Sequence, residues 1–255
     1  MLSNRESVET KLQRIAEKAC KEPDCQFTSL FHLMDMELLR GCFEGLRKDA
    51  ASGIDRVTKE EYGKELEANL SGLIERLHRM SYIPQPVRRV YIPKPGSTKQ
   101  RPLGIPALED KLVQAGLVRI LGAIYEGDFI EDSYGFRPGR GCHDALRTLS
   151  MEVESGRIHY IVEADIKGFF DNVQHDWMMA FLEHRIADKR VLRYVKRFLK
   201  AGVLEEGILK ETEEGTPQGG LCEALHNPPY AKLPIMQSKP LNKKDFKNFH
   251  LIYFA

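Results

Sequence analysis

Several features that would identify common classes of protein are missing from this chain of 255 residues. No run of about 18 apolar residues is present, so the sequence predicts no transmembrane helix. The first ten residues contain no apolar core of the kind that a secretory signal requires. We therefore expect a cytoplasmic protein without a membrane partner.

Cysteine is scarce and irregularly placed. The five cysteines are odd in number, with no Cys-x-x-Cys pair and no histidine spacing typical of a zinc site. Reduced thiols are therefore expected, as in other cytoplasmic proteins. They are Cys20, Cys25, Cys42, Cys142 and Cys222.

Three catalytic signatures are also absent, namely HExxH, GxSxG and GxxxxGK[ST]. The sequence therefore gives no support for a zinc peptidase, an α/β hydrolase or a P-loop NTPase. Neither sign of charge dominates, since 38 basic and 37 acidic residues leave a net charge of +1. A nucleic-acid partner must accordingly be argued from local clusters.

The composition that is present predicts a folded chain. Hydrophobic residues make up 42% and aromatic residues 9%, which excludes a wholly disordered protein. The length suffices for one large domain or two small ones. A capping box, Thr58 followed by Glu61, predicts the start of a helix. Helical periodicity recurs over 30–39, 62–77, 112–124 and 188–202.

A β-hairpin with basic side chains is predicted between Val87 and Pro106. Its first arm, 87–92, is rich in β-forming residues, and the following 93–99 is rich in turn-forming residues. From residue 85 to residue 101 there is no acidic residue. Fixed guanidinium and ammonium groups suit a triphosphate, although a solvated basic turn explains the pattern equally well. The five basic residues are Arg88, Arg89, Lys94, Lys99 and Arg101.

A carboxylate follows a predicted buried strand. The strand covers Tyr160–Ala164 and ends on Asp165, where an unpaired charge would be costly without a cation, a basic partner or a capping role. A hard carboxylate on a rigid strand suits Mg²⁺. Two-metal phosphoryl transfer needs a second carboxylate at the same point. Asp171 and Asp176 are near in sequence, but their spacing does not establish that they converge on Asp165.

Two loops contain further candidate residues. Residues 133–141 are rich in glycine and include Arg137 and Arg140. Residues 215–220 read Gly-Thr-Pro-Gln-Gly-Gly, in which the glycines allow close backbone approach and Gln218 offers both a donor and an acceptor. Alone, the Gly-Thr-Pro-Gln pattern is weak evidence for a site, because turns rich in glycine and proline are common.

The segment from Asp188 to Gly202 combines an apolar stripe with a basic face. The simplest interpretation is a core helix with a solvated outer side, ended by a left-handed Gly202. The acidic segment 205–214 is expected to form a loop or a hairpin. The basic residues of the helix are Arg190, Arg193, Lys196, Arg197 and Lys200.

Five short motifs occur in a fixed order: Gly-Ile-Asp at 53–55, Arg-Pro-Leu-Gly-Ile-Pro at 101–106, Tyr-Gly-Phe-Arg-Pro-Gly-Arg at 134–140, Ala-Asp-Ile-Lys-Gly-Phe-Phe-Asp at 164–171 and Gly-Thr-Pro-Gln-Gly-Gly at 215–220. This order resembles the reverse transcriptases, or maturases, encoded by bacterial group II introns. The resemblance implies an α+β fold, the fingers and partial palm of a right-hand polymerase. That fold is helix-rich, with a basic β-hairpin and a small antiparallel palm sheet.

The resemblance also implies divisions of the chain. Residues 1–51 would be an N-terminal helical extension and 52–150 the fingers. Residues 151–220 would form a partial palm, followed by a divergent, extended or disordered tail at 221–255. The family uses such an extension to grip template and intron RNA.

The resemblance assigns the chemistry to the palm. Asp165 would be a catalytic, metal-binding aspartate with the carbonyl of Ile166 beside it, holding Mg²⁺. Phe170 would be the steric gate, an aromatic ring that crowds the 2′-hydroxyl of a ribonucleotide. Gln218 would line the nucleotide pocket.

The resemblance assigns phosphate and template contacts to basic side chains. Lys94 and Arg101 would hold the incoming triphosphate, with Lys99 as a rival for the first role. Independently of the resemblance, the arginines and lysines of the helix over 188–202 suit contacts to the backbone of a primer–template duplex, and its interpretation as a core helix stands beside this one. Arg137 and Arg140 would touch the template or brace the fingers. The template- or RNA-binding set as a whole is Arg88, Arg89, Lys99, Arg137 and Arg140.

The activity implied is RNA-directed DNA polymerisation. Deoxynucleoside triphosphates (dNTPs) would be added to a primer 3′-hydroxyl by two-metal phosphoryl transfer. The implied partners are an RNA template, intron RNA, a DNA primer and dNTPs, and a homo-oligomer is compatible with the sequence.

The sequence after Gly220 departs from the family. The family continues to a Tyr-Ala-Asp-Asp hairpin with two further metal ligands, whereas this chain has no adjacent aspartates and only Asp245 after Asp188. We interpret it as truncated or frame-shifted near residue 221. Three hypotheses follow: a polymerase by family, a catalytically silent fragment that binds RNA, and a poorly folding pseudogene product. The missing carboxylates favour the second for this chain.

Overall fold

Eight α-helices surround a shared core in the part of the chain that a computed structural model describes. The described residues are 6–93, 96, 98, 100–135, 137–156, 160–161, 172–212 and 214–216. Two short 3₁₀ segments, Phe31–Leu33 and Glu126–Asp128, connect some of the helices. The helices are α1 Val8–Lys21, α2 Met36–Gly45, α3 Lys59–Gly63, α4 Leu66–His78, α5 Leu108–Tyr125, α6 Cys142–Glu154, α7 His175–Arg185 and α8 Lys189–Leu199.

Four strands form one small sheet in the order β2-β1-β3-β4. The predicted hairpin is confirmed, because β1 and β2 pair antiparallel. The acidic segment forms a second antiparallel hairpin from β3 and β4. The strands are β1 Val87–Pro93, β2 Gln100–Ile105, β3 Val203–Glu205 and β4 Ile208–Lys210.

The helix-rich α+β fold is confirmed, but the described sheet is mixed rather than purely antiparallel. The two hairpins join through parallel pairing of β1 with β3, where Val87 lies opposite Val203. This pairing begins where the chain leaves α8, since the amide of Val87 donates to the carbonyl of Gly202 at 3.0 Å. The palm strand predicted over 160–164 lies outside the described residues except Tyr160 and Ile161, neither of which is in a strand.

Two predicted helices are each divided by a side chain that bonds to backbone. The periodic stretch 30–39 becomes a 3₁₀ turn followed by α2, because Asp35 caps α2 by accepting the amide of Leu38 at 3.0 Å. The stretch 62–77 divides into α3 and α4, and the side-chain Nδ2 of Asn69 on α4 donates across the break to the carbonyl of Tyr62 at 2.9 Å. Hydrophobic period alone does not reveal such breaks.

The capping box and the basic helix are both confirmed. Thr58 accepts the amide of Glu61 at 3.2 Å, and the Glu61 carboxylate accepts the amide of Thr58 at 3.0 Å. Helix α8 begins after its cap, Asp188, and Gly202 has a φ of +78°, as the sequence predicts.

Helix α5 is the centre of the core. It packs on α1 and α2, and its apolar residues are buried around most of its circumference. Gly116 permits close packing against the segment just before α2, since a Cβ there would lie 2.8 Å from the sulfur of Met34. The N-terminal helices therefore share one core with the region that follows them. None of the described helices has both the length and the apolar content to cross a bilayer.

A buried ion pair joins three elements beside this core. Arg185 on α7 is 3% exposed and binds both carboxylate oxygens of Asp128, at 2.7 and 3.0 Å. The same guanidinium donates to the carbonyls of Cys25 and Ala19. The end of α1, the second 3₁₀ segment and α7 are thus tied at one point, which we call the Arg185 seam.

A second buried carboxylate ties the N-terminal region to α8. Asp188 accepts the amides of Leu30 and Phe31, each at 2.8 Å, and that of Arg190 at 3.0 Å. Burial acts to raise the pKa of Asp188, but these three donors stabilise the carboxylate and hold its pKa below the usual value. One charged side chain therefore caps α8 and orders residues 158 positions earlier in the chain.

Candidate nucleotide and nucleic-acid interface

The turn that contains the first motif docks on the beginning of α5. Asp55 accepts the amide of Leu108 at 3.2 Å and so caps α5, whose own preceding residue, Ala107, offers no capping group. A Cβ on Gly53 would lie 2.5 Å from the backbone of Ala107, so only glycine fits this approach. The Gly-Ile-Asp motif therefore has a structural role.

A buried carboxyl group lies within the first turn of α5. Asp110 is 1% exposed and accepts the hydroxyl of Tyr82 at 2.6 Å and the amide of Gln85 at 3.0 Å. Burial raises the pKa of Asp110 to about 6, although both hydrogen bonds act to lower it. The chain entering β1 is held by this carboxyl, which sequence reasoning did not single out.

The cations of the hairpin divide between its two faces. Because side chains alternate along a strand, Arg88 and Arg89 point to opposite sides of the sheet. Arg88 points toward the helical core and donates to the carbonyl of Ser52 at 2.7 and 3.2 Å. Arg101 lies opposite Ile92, on the same face as Arg88 but nearer the tip, where it is exposed.

On the other face of the sheet, side chains of the two hairpins contact each other. There Tyr91 donates its hydroxyl to Glu205, which also pairs with Lys210. The positive charge of Arg89 acts on the same carboxylate and helps to lower the pKa of Glu205, after the larger effects of its two hydrogen-bond partners. Arg101 is therefore the described hairpin cation best placed to meet a ligand at the tip.

Arg137 braces the loop before α6. Its guanidinium binds Glu126 at 2.8 and 3.0 Å, donates to the carbonyls of Ile130 and Ser133 at 3.0 Å each, and lies over the ring of Phe129. The side chain is only 8% exposed. Of the two roles predicted for Arg137, touching the template or bracing the fingers, these contacts are of the second kind.

Arg140 is also engaged locally, but it is less buried. Its guanidinium donates to the carbonyl of Glu131 and lies 5.4 Å from the ring centre of Tyr134. That ring is held in turn by a hydrogen bond to Thr148 on α6 at 2.7 Å. Contacts within the protein thus hold the loop in place without a template.

The segment leading into the Gly-Thr-Pro-Gln motif is pinned to the start of α7. The amide of Gly215 donates to the carbonyl of Val173 at 2.8 Å. The Nε2 atom of His175 lies 2.7 Å from the carbonyl of Gly215, and this ring is 7% exposed. No pattern in the sequence marked His175, because its partner is 40 residues away.

Six of the predicted site residues lie outside the described part of the chain. The structure therefore does not test the proposed metal ligands, the steric gate, the nucleotide-pocket glutamine or the two hairpin lysines. Among the described residues, no group of three histidine, cysteine, aspartate or glutamate side chains is arranged to hold a metal. The six are Lys94, Lys99, Asp165, Ile166, Phe170 and Gln218.

Comparison with known proteins identifies relatives across most of the chain. Residues 92–223 match the family model described as reverse transcriptase (RNA-dependent DNA polymerase). The group II intron-encoded protein LtrA of Lactococcus lactis subsp. cremoris is 37% identical over 215 residues, which cover 84% of this chain and 36% of the relative. Protein YkfC of Escherichia coli (strain K12) is 39% identical over 176 residues, covering 68% of this chain and 46% of the relative. The chain thus spans less than half the length of these curated relatives.

A solved structure supports the fold. A chain of a partial Cas6-RT-Cas1–Cas2 complex superposes with a TM-score of 0.51 at 19% identity. The match covers 83% of this chain and 35% of that chain. At this level of identity the likeness concerns the arrangement of the backbone alone.

Proposed function

Because the chain belongs to the reverse transcriptase family and, within it, to the group II intron-encoded reverse transcriptases and maturases, we propose that it supplies the fingers and part of the palm of an RNA-directed DNA polymerase. The family match over 92–223 carries the proposal, since it includes the tip and second strand of the hairpin, the loop with Arg137 and Arg140, and the Gly-Thr-Pro-Gln segment. The helical extension at 1–51, fingers at 52–150, partial palm at 151–220, tail at 221–255 and cytoplasmic location are part of the proposal.

The proposal gives the hairpin tip the role of binding phosphate. Arg101, with Lys94 or Lys99, would meet the triphosphate of an incoming nucleotide by charge-assisted hydrogen bonds. Arg89 and Arg140 would add contacts to template RNA. Arg88 contributes to this surface indirectly, because its Nε and Nη2 atoms donate to the carbonyl of Ser52.

The chemistry of the family requires Mg²⁺ beside the palm strand. Asp165 and the carbonyl of Ile166 would hold it, and bound Mg²⁺ would neutralise phosphate charge during transfer. Phe170 would exclude a 2′-hydroxyl from the pocket, and Gln218 would contact the nucleotide.

For these 255 residues alone we propose RNA binding without polymerisation. The observation in favour is the absence of any adjacent aspartate pair, because two metal ions need more than one carboxylate at the same point. RNA binding requires only the basic surfaces and therefore survives this absence.

Primer extension and RNA binding test the two parts of this proposal separately. With Mg²⁺, an RNA template, a DNA primer and dNTPs, we expect no cDNA from the purified chain. Extension that is lost in the Asp165→Asn variant would show that the chain is catalytically active. In fluorescence anisotropy we expect RNA affinity to fall as salt rises. Absent or salt-insensitive binding would contradict the RNA-binding proposal.

A further inference from the structure

The outward face of α8 presents a row of four exposed cations. Lys189, Arg193, Lys196 and Lys200 are separated by four, three and four positions, which places them along one side of the helix. With a rise of 1.5 Å per residue, the row extends roughly 16 Å. We call it the α8 row.

No member of the α8 row forms an ion pair with a carboxylate among the described residues. Exposed arginines elsewhere on the surface do so. Arg40 pairs with Glu67 at 2.6 Å, and Arg79 pairs with Glu75 at 2.7 Å. The row is therefore a region where positive charge is left without a local counter-charge.

The two remaining arginines of α8 have inward roles. Arg190 lies 5.2 Å from the ring centre of Phe31 and 3.6 Å from Asp188. Arg197 donates to the carbonyl of Tyr82 at 2.6 Å. The basic residues of α8 therefore form two groups. Arg190 and Arg197 contact other parts of the protein, whereas the four residues of the α8 row do not pair with a described carboxylate.

Helix stability does not account for the row. Cations near the C-terminus, such as Lys200, interact favourably with the helix dipole, but Lys189 lies in the first turn, where the dipole disfavours positive charge. The row ends at the base of the basic hairpin, because Gly202 follows Lys200 by two residues and accepts the amide of Val87. The two basic features therefore adjoin.

We propose that the α8 row binds the phosphodiester backbone of an RNA strand, independently of base sequence. Phosphates follow one another along a strand of duplex DNA at about 3.4 Å of helical rise, and a spacing of this order in RNA makes the row long enough to meet several phosphates. Lysine and arginine on a straight helix supply point charges without base-reading geometry. The choice of RNA as the polyanion rests on the proposed function.

The test compares two triple variants of equal charge. One is Arg193→Gln/Lys196→Gln/Lys200→Gln, and the control is Arg40→Gln/Arg79→Gln/Arg147→Gln, whose arginines are exposed and paired. Binding to a single-stranded RNA is measured by anisotropy across a salt series. We expect the slope of log K against log salt to become shallower by about 2 for the α8 variant, since each phosphate contact on a single strand contributes about 0.7. The control slope should change by less than half of that.

The outcomes separate failure of the inference from failure of the proposed function. If the unmodified chain does not bind RNA, the proposed function fails, and the inference fails with it. If it binds and both variants change alike, net charge explains the result and the α8 row is refuted. The row is also refuted if it governs binding to anionic lipid vesicles but not to RNA. Should the triple variant unfold, Lys196→Gln alone should still reduce the slope by about 0.7.

Discussion

Arginine serves different purposes in the Arg185 seam and in the α8 row. Arg185 is buried and contacts a carboxylate of the second 3₁₀ segment, a carbonyl of α1 and a carbonyl of the loop after α1. Arg193 is exposed, and no described carboxylate pairs with it. The two residues are eight positions apart, on consecutive helices.

The difference shows that residue type alone does not determine what an arginine does in this protein. Its bonding partners do. In the seam, loss of the guanidinium removes the ion pair with Asp128 and a donor to two backbone carbonyls at a buried position. In the row, loss of a cation leaves nothing unsatisfied. Stability measurements should therefore detect the first region, and binding measurements the second.

The largest expected effect is loss of the seam. Arg185→Ala should lower the free energy of unfolding by about 4–5 kcal/mol, because it breaks the ion pair between a buried guanidinium and Asp128 and removes two carbonyl contacts. Urea unfolding followed by circular dichroism measures this loss. The control, Arg193→Ala, should change the value by less than about 0.5 kcal/mol. Similar losses in both variants would remove the contrast between the two regions.

Removal of the second buried carboxylate should have the next largest effect. Asp188→Ala leaves the amides of Leu30 and Phe31 buried without acceptors, and we expect a loss of about 3–4 kcal/mol in the free energy of unfolding. Asp188→Asn keeps an acceptor oxygen and should lose less. The exposed Asp24→Ala variant is the control. A loss in Asp188→Asn equal to that in Asp188→Ala would argue against amide capping as the cause.

Asp110 should make stability depend on pH in the opposite sense to Asp188. Its pKa of about 6 in the folded chain lies above the value of 3.8 expected when unfolded. Stability from the protonated form is therefore complete below pH 3.8 and is lost as pH rises through 6, by about 2–3 kcal/mol. Asp188, with a lowered pKa, loses its contribution only as pH falls. In urea unfolding from pH 4 to 7, the free energy of unfolding should fall with rising pH in the unmodified chain more than in Asp110→Asn. An identical pH profile in the variant would contradict this prediction.

The smallest effects sharpen the comparison within the hairpin. Arg88→Gln should cost about 1 kcal/mol of stability, because it breaks the bonds to Ser52, and should leave nucleotide affinity unchanged. Arg101→Gln should change stability by less than about 0.5 kcal/mol but weaken the affinity for a dNTP–Mg²⁺ complex about tenfold, equivalent to about 1.4 kcal/mol. Urea unfolding measures the stability of both variants, and calorimetric titration measures their affinity for the nucleotide. If Arg88→Gln weakened nucleotide binding and Arg101→Gln lowered stability, the roles assigned to the two arginines would have to be exchanged.

Local patterns in the sequence predicted much of the fold. The hairpin, the Thr58 capping box, α5 and α8 all follow from turn residues and apolar periodicity, which act over a few residues. The parallel pairing of β1 with β3 did not follow, because it depends on where α8 ends in space. The same holds for the bond from Asp188 to Leu30, which joins residues 158 positions apart.

The candidate site divides in a similar way. The motifs identified the hairpin and the arginine loop, but they did not show that Arg88 and Arg137 turn inward while Arg101 stays exposed. Those orientations depend on strand register and on carboxylates or carbonyls supplied by other elements. His175 was missed for the same reason, since its partner is the distant carbonyl of Gly215.

The contacts of Asp188 have a consequence for any dissection of this protein into parts. A chain shortened to begin at Ser52 would lose Leu30 and Phe31, and with them two of the three amides that hold the carboxylate. The ring of Phe31, which stacks on Tyr194 at 5.4 Å, would leave with them and uncover the inner side of α8. The N-terminal helices are therefore a folding requirement for the basic helix and cannot be treated as a detachable appendage.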